Sequence, residues 1–98
     1  MTVLMTMDLP VHKEDVEAVS AGMGTHENPP AGLIAHVATE TENGVHVVDI
    51  WEDQAAFDNF MNDQLMPTMQ KFMAEHNMTP DMAPQPRIEE AFDVVRGR

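Results

Sequence analysis

Two β-branched segments carry the residues best suited to chemistry in this sequence. His36 sits in Leu33-Ile34-Ala35-His36-Val37, and Asp49 and Trp51 sit in Val47-Val48-Asp49-Ile50-Trp51. An imidazole titrates near neutral pH and can move a proton in either direction, and a carboxylate within reach fixes its tautomer and raises its basicity. His36 and Asp49 therefore read as a catalytic pair that takes a proton from an acidic C–H or phenol. Trp51, the sole tryptophan, offers a flat wall for a small apolar molecule, with Ile34, Val47 and Glu40 as further substrate-binding positions. The structural alternative is a histidine satisfied by Asp49 in a partly polar interior. The chain has no cysteine, which excludes thiolate catalysis, cysteine-bound zinc and iron–sulfur clusters. No Ser-His-Asp signature or phosphate-cradling loop is present, and Gly22-Met23-Gly24-Thr25 follows a helical pattern instead of a strand.

These residues need strands to hold them, and changes of hydrophobic period show where strands and helices fall. Thr2 to Leu9 alternates and is closed by Pro10. Lys13 to Met23 has helical spacing, with Val16, Val19 and Met23 on one side and Gly24 as its stop. Thr25 to Ala31, with Pro29-Pro30, is an irregular connection. Gly32 to Thr41 and Val45 to Glu52 form a hairpin. Asp53 caps a helix bearing Phe57, Phe60, Met61 and Leu65, Pro67 interrupts it, and a second helical stretch carries Met69, Phe72, Met73 and His76 to a stop at Asn77. After the proline-rich stretch Pro80 to Pro86, Ile88 to Val95 is a final strand. The order βαββαβ is that of a ferredoxin-like α+β fold, a four-stranded antiparallel sheet with both helices on one side.

Asn43-Gly44 is the preferred pair for a type I′ hairpin loop. That loop places His36 opposite Trp51, Ala38 opposite Asp49, and Asp49 diagonal to His36. Leu33, Ala35, Val37, Val48 and Ile50 then share an aliphatic face for the helices to cover. Ile34, His36, Ala38, Glu40, Val47, Asp49 and Trp51 share the open face, where a second subunit would close a cavity over them.

Length and charge bound the rest. The 98 residues make one domain, 1–98, and 43% hydrophobic residues without a disulfide make pairing into a homodimer a natural source of further burial. A formal charge of −12 argues against nucleic acid and anionic membrane surfaces as partners. The opening Met1 to Pro10 lacks a basic segment, and no apolar run approaches the roughly 18 residues needed to span a bilayer. The expectation is a mature cytoplasmic protein.

Gly32-Leu33-Ile34-Ala35-His36-Val37, then Gly44-Val45-His46-Val47-Val48-Asp49-Ile50-Trp51-Glu52, then Phe57, Phe60 and Leu65-Met66-Pro67 resemble the dimeric α/β-barrel superfamily. Within it, they are similar to the small antibiotic-biosynthesis-monooxygenase-like proteins. Their counterparts there are a G-x-x-x-H strand, a D-x-W-E strand end and an F-x-x-F helix. The resemblance implies two ferredoxin-like subunits whose sheets face each other. Its relatives include cofactor-free monooxygenases, isomerases, cyclases and haem proteins, so it does not select a reaction. The function expected is a cofactor-independent monooxygenase or isomerase acting on an apolar or aromatic compound. The alternatives are a non-catalytic ligand-binding protein and a haem-binding one.

The other candidates have simpler explanations. His46 lies near the hairpin turn, His12 and His26 at a helix start and in a loop. His76 is placed to bind the last carbonyls of its helix, or as an alternative to ligate haem. His36, Asp49, Glu40 and Glu90 could line one metal-binding cavity, but no dedicated ligand spacing accompanies them, and no metal is expected. The ten methionines follow core periodicities, so they read as filler rather than as a copper site.

Overall fold

The computed structural model describes residues 1–77 and 85–97. Strand β1 spans Val3–Leu9, with Val3, Met5 and Met7 buried and Leu4 and Thr6 between them only half-buried. Helix α1 spans Lys13–Met23, as its spacing predicts. Its start is tied by the Asp15 carboxylate accepting from the His12 backbone N–H at 3.0 Å. It ends at Gly24, whose φ of 68° is a left-handed stop that a side chain would disfavour.

Strands β2 (Leu33–Thr41) and β3 (Gly44–Trp51) form the hairpin, but its loop is Glu42-Asn43 and not Asn43-Gly44. Thr41 pairs with Gly44, Thr39 with His46, Val37 with Val48 and His36 with Asp49, two residues away from the expected register. The cause is a contact outside the hairpin. Gly44 has φ 147° and lies against the end of β1, where a Cβ would fall 2.0 Å from the Leu9 carbonyl oxygen. The glycine therefore serves a close approach between strands and not a mirror-image turn. A slip of two leaves each side chain on its face and changes only what stands opposite it. An irregularity between Leu33 and Ala35 then pairs Leu33 with Trp51.

Helix α2 (Gln54–Phe60) starts where Asp53 accepts from the Ala56 N–H at 2.8 Å. It runs through a π-helical segment, Met61–Leu65, into α3 (Met66–Glu75). Pro67 was expected to interrupt the helix; instead the π turn accommodates it. The Met66 N–H reaches back to Met61, and this wider turn relieves the clash that a proline ring makes with the preceding turn of an α-helix. Asn77, with φ 55°, is the expected left-handed stop. Residues 78–84, most of the proline-rich stretch, lie outside the described residues.

The final strand, β4, is Arg87–Glu90 and does not continue to Val95. Glu90 already pairs with Val3 and the Ala91 N–H donates to Thr2, so β1 has almost no chain left to pair with. Phe92 is accordingly 98% exposed. The four strands form an antiparallel sheet in the order β2-β3-β1-β4, the ferredoxin-like arrangement.

The helices cover the face opposite to the one expected. Val3, Met5, Met7 and Leu9 pair with Trp51, Asp49, Val47 and Val45. This shared face packs on the helices, with Trp51 meeting Phe57 edge-on at 5.7 Å between ring centroids and Phe60 at 5.3 Å. Val3, Met5, Met7, Val45, Val47, Trp51 and Phe57 are the buried core, each side chain contributing about 1.5 to 3 kcal/mol through burial. Ala35, Val37, Val48 and Ile50 lie on the open face. Aromatic contact with α2 and the alternation of β1 outweigh the aliphatic character of the other face.

Candidate functional site

His36 and Asp49 project from directly paired positions of β2 and β3 toward the helices. The His36 Nδ1 lies 2.5 Å from the Asp49 Oδ1, closer than the diagonal relation expected. The Trp51 Nε1–H donates to the other carboxylate oxygen, Oδ2, at 3.3 Å. An ionised carboxylate can only accept, so Nδ1 carries the hydrogen and Nε2 is left as the free nitrogen of the neutral ring. Asp49 is almost closed to solvent, its side chain 7% exposed against 40% for His36. Burial of the carboxylate is tolerable because both oxygens have donors. Its hydrogen bond raises the His36 pKa above 6.5; burial of the ring opposes that and attraction to the carboxylate reinforces it.

The pair opens on a cavity of 320 Å³ between the helix-facing side of the sheet and the helices, within the range of about 300 to 1,000 Å³ typical of small-molecule sites. Met5, Met7 and Val47 form its floor. Val16 and Val19 of α1 and Phe72 of α3 contribute to its walls. Sequence periodicity sets Val16 and Val19 on one side of α1 and Phe72 on one side of α3, and those sides face the cavity. Trp51 also borders the cavity, yet it is fully buried. Ile34 and Glu40, expected beside the substrate, are not among the lining residues; Ile34 sits in the irregular start of β2 and Glu40 is exposed near the turn. Ser20, Thr25 and His26 do line it. Their signal was weak, since they fall at a helix end and in an irregular loop.

Elsewhere, His46 faces Asp8 on the open side of the sheet, Nδ1 to Oδ1 2.7 Å. His76 stacks on Phe72 at 4.1 Å and its Nδ1 bonds the Phe72 carbonyl at 2.9 Å, the expected helix-end role. Among the described residues no three His, Asp or Glu side chains group to hold a metal, so His36, Asp49, Glu40 and Glu90 do not converge. Nor do the residues suit haem. Among the described residues no lysine or arginine lines the cavity to meet propionates, and His76 is not part of its wall. No described helix is long and apolar enough to cross a membrane.

No family model matches the chain, and neither does any curated protein. Solved structures do match. SnoaB, a cofactor-independent oxygenase from Streptomyces nogalater, superposes with TM-score 0.59 at 14% identity, over 98% of this chain and 96% of that one. A Deinococcus radiodurans protein named as a candidate antibiotic biosynthesis monooxygenase gives 0.61 at 11% identity, over 100% and 99%. The fold is that of the antibiotic-biosynthesis-monooxygenase-like proteins. A conserved protein from Methanosarcina mazei gives 0.63 at 12% identity, over 91% of each chain. At such identities the monooxygenase-like neighbours share the architecture, and this chain's own residues must carry the chemistry.

Proposed function

We propose that the protein is a cofactor-independent monooxygenase or isomerase that deprotonates a small apolar or aromatic compound in the cavity beneath the helices. The observation that carries this reading is the 2.5 Å contact between His36 and Asp49 at the border of an apolar cavity. The His36 Nε2 takes a proton from an acidic O–H or C–H of the ligand. Asp49 steadies the resulting imidazolium, and the apolar walls exclude water from the substrate anion. In an isomerase, His36 returns the proton to a different atom. In an oxygenase acting on an activated methylene, molecular oxygen is the co-reactant: one oxygen atom becomes the new carbonyl, and the other leaves as water with the two methylene hydrogens.

A homodimer belongs to the same reading. The open face presents Leu4, Val48 and Ile50 beside Val37, which is 52% exposed, and a second copy placed there would cover them. The cavity lies on the other side of the sheet, so pairing would support the strands that carry the site without enclosing the ligand.

Turnover of a panel of hydroxyanthrones and quinols without added metal or cofactor tests the proposal. Conversion lost in His36→Ala, with the fold retained, is the expected result. Tight binding with no conversion would make the cavity that of a non-catalytic binding protein.

A further inference from the structure

Trp51 borders the cavity, but its one polar atom is engaged inside the protein. It is fully buried and packed against both Phe57 and Phe60, so the direction of its N–H is set by packing. An aspartate carboxylate rotates readily about its last torsion, and His36, 40% exposed, is the less constrained of its two partners. The rigid donor is the tryptophan. We propose that Trp51 is a positioning residue: its indole N–H anchors the Asp49 Oδ2, which turns Oδ1 toward the His36 Nδ1 and leaves the His36 Nε2 free to exchange a proton with the ligand.

This deepens the proposed function, on which only its consequence for turnover rests. The relay itself is a property of the resting protein. Among the described residues, Asp49 on β3 is the charged group in direct contact with His36, while Asp15 of α1 and His26 of the following loop are the other titratable groups lining the cavity. Neither of those two bonds the imidazole in the structure. Coupling between Trp51 and His36 therefore runs through Asp49.

The single tryptophan makes the test clean. A ¹H–¹⁵N spectrum contains one indole N–H resonance, and it should move with pH at the same midpoint as the His36 ring. Replacing Trp51 biosynthetically by 3-benzothienylalanine keeps the bicyclic shape and removes the N–H donor. The His36 midpoint should then fall toward 6.5 as the carboxylate loses its orientation. Trp51→Phe, checked for a retained fold by circular dichroism, should move it in the same direction. An indole resonance insensitive to His36 titration, or a His36 midpoint unchanged or raised in the benzothienyl protein, overturns the proposal. If the chain turns over a substrate, kcat should drop about tenfold in the benzothienyl protein, part of the roughly 10² to 10⁴ supplied by general acid–base catalysis. Coupled titration without turnover in the parent protein would reject the enzyme reading while retaining the relay.

Discussion

His36 and Asp49 stand directly opposite each other on neighbouring strands, their side chains 2.5 Å apart, with the imidazole partly open and the carboxylate enclosed. This asymmetry gives the two groups different parts. A proton can arrive at or leave the imidazole, whereas the carboxylate is confined to holding it.

Under the proposed function, the pH dependence of turnover has a defined direction. His36 acts as a base only when neutral, and its pKa is raised from 6.5 by the hydrogen bond to Asp49. The acidic limb of a kcat/KM profile should therefore have its midpoint above 6.5. Asp49→Asn, which keeps the shape and removes the charge, should bring the limb down toward 6.5 and cost less activity than His36→Ala. A limb that does not move in Asp49→Asn would show that another group controls it.

Stability should depend on pH with a defined sign. Because the folded-state pKa of His36 is raised, the pair's stabilisation is complete below the unfolded value near 6.5 and declines as pH rises through the higher folded value. Thermal melts of the parent protein should show a downward contribution over that window. His36→Gln should flatten it, and an equal slope in both proteins would contradict the assignment.

Two glycines should respond to alanine with opposite signs. At Gly44 the added Cβ would meet the Leu9 carbonyl at 2.0 Å, and φ is 147°, so Gly44→Ala should lose about 2 to 4 kcal/mol from overlap and backbone strain together. Gly22 lies within α1 and a Cβ there meets nothing within 4 Å. Gly22→Ala should gain about 0.5 to 1 kcal/mol. Denaturant unfolding measures both.

The open face is checked by a charge. Val37→Asp, at a position already half exposed, should leave the fold and the His36–Asp49 contact intact while reducing association in sedimentation. A parent protein that sediments as a 10.9 kDa monomer at micromolar concentration would remove the dimer proposal without touching the cavity.

Loss of Phe57 should be among the most damaging single changes. The ring is buried and lies edge-on to Trp51, and Phe57→Ala should cost about 3 to 5 kcal/mol. If stability falls by less than about 1 kcal/mol, the aromatic cluster does not decide which face the helices cover.

Much of the architecture was legible because local chemistry determines it. The alternation of Val3, Met5 and Met7, the span of α1, the Asp53 cap, the Gly24 and Asn77 stops and the element order can all be read from neighbours a few residues apart. That His36 and Asp49 share one face of the hairpin can be read there too, although the Asn43-Gly44 loop sets them diagonal and not opposite. What the tertiary structure decided was what stands opposite what, and which side is inside. Both faces of the β2–β3 hairpin are largely apolar, so its pattern cannot say which one is covered; β1, from far away in the chain, and the ring contacts with α2 choose the face of Trp51. Asn43-Gly44 looks like a turn by itself, yet the carbonyl of Leu9 claims Gly44 for a close approach and moves the register by two. Local propensities differ by about a kcal/mol per residue, whereas a backbone clash or a misplaced buried aromatic costs several, and the larger energies set the positions of His36 and Asp49.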